Sequence, residues 1–246
     1  MQHYVKEKVV IVTGGSSGFG LASARLLLEC GARVAITGRD PQRLEAAAAS
    51  LAHEDLLAVR ADATCTADWK MLVEKVLQRF GRIDVLVNNH GAGGKIAEVE
   101  NLDDAAIQQV LDVNLTSVIK GCREVLRVMK GQGSGQVVNV SSGCAYHAWP
   151  CWAAYTAAKA GMVAFTRCLH LEMAPWGGKA TSFIPGAART GFCEAAGINA
   201  EWLEGYPSAE DFARTLLHCI DVPEGSFIEE VNIWGTKQVK EMVNPF

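Results

Sequence analysis

The most regular feature of the chain is a series of short, wholly apolar runs, each leading into a polar, glycine-bearing turn and then a longer stretch with helical spacing. Val9-Val10-Ile11-Val12 is the first such run, and it reads as a strand buried on both faces of a parallel sheet. The segment Leu21 to Leu28 has helical spacing and stops at Gly31; Arg33-Val34-Ala35-Ile36-Thr37 then returns to strand character, completing one βαβ unit. Asp40-Pro41 supplies an N-cap and a first-turn proline for a helix through Leu51, followed by a strand near Leu56 to Arg60 and a helix near Ala67 to Phe80. Val85-Leu86-Val87 and Val137-Val138-Asn139-Val140 are further buried strands.

Repeated β-α units joined by right-handed crossovers give an α/β fold with a single Rossmann-like, doubly wound parallel sheet flanked by helices. Ligands of such sheets sit outside the carboxyl ends of the strands, where the polar turns lie. No proline- or glycine-rich linker, repeat or low-complexity tract divides the chain, so residues 1–246 are expected to form one domain.

Apolar residues make up 49% and charged residues 20% of the sequence, the usage of a compact globular protein. The net charge of −4, with no local block of Lys or Arg, argues against nucleic acid or an anionic membrane as partner. No run reaches the roughly 18 apolar residues of a spanning helix, and the opening MQHYVKEKVVIV lacks the features of a signal peptide. The eight cysteines are scattered without a C-x-x-C pair; they read as reduced thiols of a cytoplasmic protein, and no metal site is expected.

Thr13-Gly14-Gly15-Ser16-Ser17-Gly18-Phe19-Gly20 joins the first strand to the first helix, where glycines admit close backbone approach and a helix N-terminus favours phosphate. A G-x-G-x-x-G fingerprint from Gly18 fails at Ser23, and a Walker A reading fails because Leu21 stands at the lysine position. The spacing is T-G-x-x-x-G-x-G, which resembles the N-terminal turn of the short-chain dehydrogenase/reductase family. That resemblance implies a nicotinamide dinucleotide held by Gly14, Ser16, Ser17, Gly18, Phe19 and Gly20.

At the end of the second strand a carboxylate would bind the ribose hydroxyls of NAD and repel the 2′-phosphate of NADP. Gly38 and Arg39 stand there, and a guanidinium suits a phosphate, so NADP(H) is the expected cofactor, with Arg39, Ser16 and Thr37 near the phosphate. NAD is the alternative, because Asp40, 20 residues after Gly20, could reach a ribose; its place before Pro41 favours a capping role. The resemblance assigns Asp62 and Ala63 to the adenine, and Asn89 and Gly91, in Asn88-Asn89-His90-Gly91, to the adenosine ribose. His90 departs from the family's alanine and reads as a hydrogen-bonded structural group.

Tyr155-Thr156-Ala157-Ala158-Lys159 puts a phenol and an ammonium on one helical face. A tyrosine of pKa about 10 is a poor base at neutral pH, and a neighbouring cation stabilises its phenolate, moving it toward general acid/base work. Ser142 lies 13 residues before Tyr155, the family's separation between serine and tyrosine, with Ser141 as a structural neighbour. By the same resemblance Ser142 and Tyr155 hold the substrate oxygen, Tyr155 transfers its proton, Lys159 also binds the nicotinamide ribose, and Asn114 extends a proton relay. Pro185, Gly186, Ala188 and Thr190 match the segment that the family folds over the nicotinamide.

The implied reaction interconverts a carbonyl and an alcohol. Tyr146, Trp149, Trp152, Phe192 and Trp202 are candidate pocket walls, and Arg189 and Lys95 candidate contacts for an anionic substrate. Ile228 to Gln238 resembles the NADP-dependent serine/3-hydroxy acid dehydrogenase branch of the family. Small residues about Tyr155 (Ala153, Ala154, Ala157, Ala158, Ala160, Gly161) are similar to the family's subunit interfaces and imply a homodimer or homotetramer. Two other readings compete: an NAD-dependent alcohol or hydroxy-acid dehydrogenase, and a non-catalytic nucleotide-binding regulator. A hydrolase built on Ser142 and His147 lacks the G-x-S-x-G elbow.

Overall fold

The first apolar run folds as strand β1 (Val9–Val12), with all four residues buried. Val10 and Val12 pack with Leu27, Leu28 and Leu216 on one face of the sheet; Val9 and Ile11 pack with Trp69, Leu72, Val125 and Met162 on the other. A strand covered on both sides has no solvent face to mark with polar residues, hence its continuous apolar reading.

The computed structural model describes residues 3–196 and 199–243. After β1 come α1 (Gly18–Glu29), β2 (Arg33–Gly38), α2 (Pro41–Leu51), β3 (Leu56–Arg60), α3 (Thr66–Phe80), β4 (Val85–Asn88), α4 (Asp104–Leu111) and α5 (Ser117–Gln132). Then follow β5 (Gly135–Val140), α6 (Ala153–Met173), β6 (Gly178–Pro185), α7 (Gly191–Ala195), α8 (Ala209–Ile220), β7 (Glu230–Ile233) and α9 (Thr236–Val243). The strands form one parallel sheet in the order β3-β2-β1-β4-β5-β6-β7, the Rossmann-like arrangement expected. The chain runs outward from β1 to β3 and then crosses back to lay β4 against the other side of β1. The strand order therefore reverses between β1 and β4, and a crevice opens there at the carboxyl ends.

Asp40 caps α2 as its sequence position suggests: its Oδ1 accepts from the backbone N–H of Gln42 (2.9 Å) and of Arg43 (3.1 Å), with Pro41 in the first turn. Between α4 and α5 the helix widens into a π turn, Asp112–Thr116. There the Ser117 N–H reaches back to the Asp112 carbonyl, and the Ser117 hydroxyl takes up the Val113 carbonyl (2.7 Å). No helix among the described residues is long and apolar enough to cross a membrane.

Candidate active site

A cleft of about 1000 Å³ occupies the carboxyl edge of the sheet, and the glycine turn forms one wall. Gly14 (φ +63°) and Gly18 (φ +50°) hold left-handed backbone that side chains disfavour, and a Cβ at Gly20 would collide with the Gly14 carbonyl and the Asn89 amide. Asn89 pins the turn by donating from Nδ2 to the carbonyls of Thr13 (2.9 Å) and Gly14 (3.3 Å). Ser17 precedes α1 in extended conformation without capping it, leaving the helix's first N–H groups directed at the cleft that Ser16, Ser17, Gly18, Phe19 and Gly20 line. This cradle fits a dinucleotide pyrophosphate.

At the end of β2 the cleft is lined by Thr37, Gly38, Arg39, Asp40 and Arg43. Thr37 is buried, and a Cβ on Gly38 would stand 2.9 Å from the Ser16 hydroxyl, so Ser16 closes over the strand end. Arg43, in the first turn of α2, was not anticipated. The Asp40 carboxylate is committed to α2, with the Arg43 guanidinium 3.7 Å away. Asp62 accepts from the Thr64 N–H (2.9 Å) and hydroxyl (2.7 Å). Burial would raise its carboxyl pKa, but those bonds and the charge of Arg39 outweigh it and hold the pKa below its usual value. Ala63 and Gly91 complete this part of the wall.

His90 ties β1 to α5. Its Nδ1 lies 2.7 Å from the Thr13 hydroxyl and its Nε2 2.7 Å from that of Ser117. Because Ser117 donates to Val113, the network assigns the proton of His90 to Nε2. Burial, together with the charge of Lys159, pushes its pKa down to about 3, so the ring stays neutral. His90→Ala is therefore expected to lower stability by about 1–2 kcal/mol, a drop of roughly 3–6 °C in Tm by calorimetry, with no change in the shape of the pH-rate profile.

Asn114 lies in the π turn rather than in a regular helix and does not line the cleft. It is fully buried: its Oδ1 accepts from the Ala92 N–H (3.1 Å), and its Nδ2 donates to the carbonyls of Ala92 (2.8 Å) and Val110 (2.9 Å). A Cβ on Gly91 would meet both Asn114 Oδ1 (2.9 Å) and Lys159 Nζ (3.5 Å), so the three groups share one corner.

β5 delivers Ser141 and Ser142, and α6 delivers Tyr155 and Lys159. Ser141 is structural, its hydroxyl donating to the Lys159 carbonyl (2.9 Å). Ser142 accepts from the Cys144 N–H (3.2 Å) and lines the cleft together with Tyr155. Lys159 Nζ donates to the Val140 carbonyl (2.8 Å) and stands 5.8 Å from the Tyr155 ring centre. The expected lowering of the tyrosine's pKa is not what this geometry gives. Burial raises the phenol, the neighbouring Ser142 hydroxyl only partly offsetting it, while burial pushes Lys159 down to about 7. Between pH 7 and about 10.4, the unfolded lysine's value, the unfolded chain thus binds more protons than the folded one. Stability contributed at this site rises with pH across that window. Lys159→Met is expected to be at its most favourable, relative to wild type, near pH 6 and to lose ground as pH rises to 10, read as the difference in Tm of the two proteins.

Trp149, Trp152 and Phe192 line the cleft as expected. Tyr146 does not: it is exposed, its hydroxyl donating to Glu230 (2.8 Å) and accepting from Arg167 (2.9 Å), because this polar pair on β7 and α6 draws the ring outward. The Trp202 side chain lies outside the described residues. Trp234 and Gln238, which follow β7, were missed, although a seventh parallel strand must end at the same edge. Gln238 Oε1 accepts from the Ala187 N–H (2.9 Å) and so holds the segment in which Pro185, Gly186, Ala188 and Thr190 face the cleft. The Thr190 Cβ stands 3.6 Å from where a Cβ on Gly18 would be, closing the cleft over the glycine turn. Arg189 is exposed, and Lys95 donates to the Asn101 carbonyl (2.8 Å); neither lines the cleft.

Residues 8–199 match the family model described as short chain dehydrogenase. The chain belongs to that family. It is 38% identical over 212 residues to a (5R,7aS)-5-hydroxy-7a-methyl-1-oxo-2,3,5,6,7,7a-hexahydro-1H-indene-carboxyl-CoA reductase of Mycobacterium tuberculosis, covering 84% of this chain and 80% of that one. The crystal structure of a levodione reductase superimposes with a TM-score of 0.87 at 29% identity, over 95% of this chain and 98% of that one. An alcohol dehydrogenase of the archaeon Thermococcus sibiricus, complexed with 5-hydroxy-NADP, gives 0.84 at 26% identity over 93% and 97%. Short-chain dehydrogenases are oxidoreductases that act on carbonyls and alcohols with NAD(P) in a Rossmann-like fold, and this chain is one of them.

Proposed function

We propose that residues 1–246 form a single-domain, NADP(H)-dependent oxidoreductase that interconverts a ketone or aldehyde and its alcohol, with Tyr155 as general acid/base. The observation that carries this reading is that Ser142, Tyr155 and buried Lys159 meet in one cleft whose opposite wall is a pyrophosphate cradle.

A bound nicotinamide supplies the hydride. The chain's own residues handle the proton and the geometry. Tyr155, kept protonated by burial, donates its phenolic proton to the substrate oxygen as that oxygen gains charge, and Ser142 holds the same oxygen. Lys159, poised near pH 7, returns a proton to Tyr155 and would hold the nicotinamide ribose; Asn114 fixes Ala92 at the same corner and extends the relay. Thr190, with Pro185, Gly186 and Ala188, would cover the nicotinamide. Asp62 and Ala63 would contact the adenine, and Asn89 and Gly91 its ribose.

The cofactor preference rests on Arg39, joined by Arg43, beside an Asp40 whose carboxylate already serves α2. The same commitment counts against the NAD-linked reading. A non-catalytic nucleotide binder would have no use for a protonated phenol and a serine hydroxyl lining the same cleft. Association into a homodimer or homotetramer is supported by the outer face of α6, where Ala153, Ala157 and Ala164 are exposed and lead to Leu171, 72% exposed. The free thiols Cys30, Cys65, Cys122, Cys144, Cys151, Cys168 and Cys219 favour the cytoplasm.

The experiment is a panel of aldehydes and ketones followed by the loss of reduced-cofactor absorbance, with NADPH and NADH run in parallel. Turnover that favours NADPH is expected. Tight cofactor binding without turnover of any carbonyl would return the protein to the regulatory reading.

A further inference from the structure

The reading of the site as a carbonyl reductase leaves its substrate class open, and the walls around Tyr155 narrow it. Trp152 stands edge-on to the Tyr155 ring with centroids 5.3 Å apart, and Phe192 lies at 5.9 Å on another side. Trp149 and Trp234 form a second platform, stacked at 6.3 Å with planes 30° apart, and His147 braces Trp234 edge-on at 5.0 Å. The platform is built in next to Ser142: Gly143 is buried, and any Cβ there would run into the Trp234 ring. These four aromatic rings are only partly buried and line the cleft. Half-buried flat rings about a reacting hydroxyl are suited to a flat apolar partner.

The charges tell against an anionic one. Residues 191–207, between the nicotinamide-side segment and α8, contain no Lys or Arg. Residues 142–152, which carry Trp149 and Trp152, also contain no Lys or Arg. Lys237, close in sequence to Trp234, donates to the Glu204 carbonyl (2.7 Å). The guanidinium groups of the cleft, Arg39 and Arg43, stand at its β2 end, across β1 and β4 from Tyr155. A carboxylate or the phosphates of an acyl-CoA would meet, among the described residues at this end of the cleft, only Lys159 as a cation, and its Nζ already donates to the Val140 carbonyl (2.8 Å).

We propose that the substrate is a neutral ring ketone, aromatic or alicyclic, or the matching alcohol, seated against the Trp149–Trp234 platform with its oxygen at Tyr155. This rests on the oxidoreductase reading above. It sets aside the hydroxy-acid substrate that the resemblance of Ile228 to Gln238 implies.

The test measures kcat/KM with NADPH for 2-tetralone, cyclohexanone, 2-butanone, 4-oxocyclohexanecarboxylate and acetoacetyl-CoA. 2-Tetralone is expected to exceed 2-butanone at least a hundredfold, and cyclohexanone to exceed its carboxylate analogue at least tenfold. Trp149→Ala and Trp234→Ala should each cut the ratio of 2-tetralone to 2-butanone about tenfold, and Trp149→Phe should restore most of it. A preference for the carboxylate or for acetoacetyl-CoA would overturn the proposal, as would a ratio unmoved by both alanine variants. Binding of 2-tetralone and of 4-oxocyclohexanecarboxylate to the NADPH-loaded protein, by equilibrium dialysis, separates the two readings. Tighter binding of 2-tetralone by tenfold or more, without turnover, would sink the oxidoreductase reading alone. Equal binding, or tighter binding of the carboxylate, would sink the substrate class.

Discussion

Tyr155→Phe is expected to lower kcat by about 10³-fold, within the range of a lost general acid, while the Kd for NADPH stays within about twofold. The substitution removes one oxygen from a ring that Trp152 and Phe192 continue to pack, so the fold has no reason to change. It removes the proton donor, and it leaves Ser142 alone with the substrate oxygen. The loss belongs to kcat because the phenol acts on charge that develops as the hydride arrives. Steady-state kinetics beside a fluorescence titration of the cofactor read both numbers. Retained turnover would remove Tyr155 from the mechanism.

Arg39→Ala should lower the ratio of NADPH to NADH affinity by about ten- to a hundredfold, the worth of one charge-assisted hydrogen bond to phosphate. NADH affinity should hardly move, since the contact exists only with the 2′-phosphate. Arg43 lines the same end of the cleft and would retain part of the preference, so Arg39→Ala/Arg43→Ala should lose more than either alone. The alternative makes the opposite forecast: with Asp40 on a ribose, Asp40→Ala would weaken NADH selectively. In the structure that substitution removes the cap of α2 and costs about 1 kcal/mol of stability. Titrations of both cofactors to the four proteins distinguish the cases.

How much of this was legible beforehand follows from burial. β1, β2, β4 and β5 are covered on both faces and show as apolar runs, so the parallel sheet and its functional edge could be read directly. β6 could not, because Thr181 and Ser182 sit buried in its middle, Thr181 satisfied by the Ile228 carbonyl (2.7 Å), and interrupt the run. β7 is a partly exposed edge strand of four residues with no clean alternation. Missing it hid Trp234 and Gln238.

Within the site, the glycine spacing and the Ser142, Tyr155, Lys159 set reached the cleft as anticipated, because each hangs on a strand end or one helix face. The errors arose where tertiary partners decide. Tyr146 follows Ser142 closely enough to suggest a pocket wall, yet Arg167 and Glu230 are remote in sequence and turn it to the surface. The π turn that aims the Asn114 amide at Ala92 has no pattern in hydrophobic periodicity. The expected depression of the Tyr155 pKa counted Lys159 as a charge and left out that both groups are buried.

The central claim is hydride transfer from nicotinamide to a carbonyl carbon within this cleft. It is tested most directly by reducing a ketone with NADPH deuterated at both C4 positions of the nicotinamide and reading the alcohol by mass spectrometry and NMR. The account predicts one deuterium per product molecule, on the carbinol carbon, and formation of that product at least a hundredfold slower in Tyr155→Phe. An alcohol free of deuterium, or a deuterated product formed at an undiminished rate by Tyr155→Phe, would contradict it.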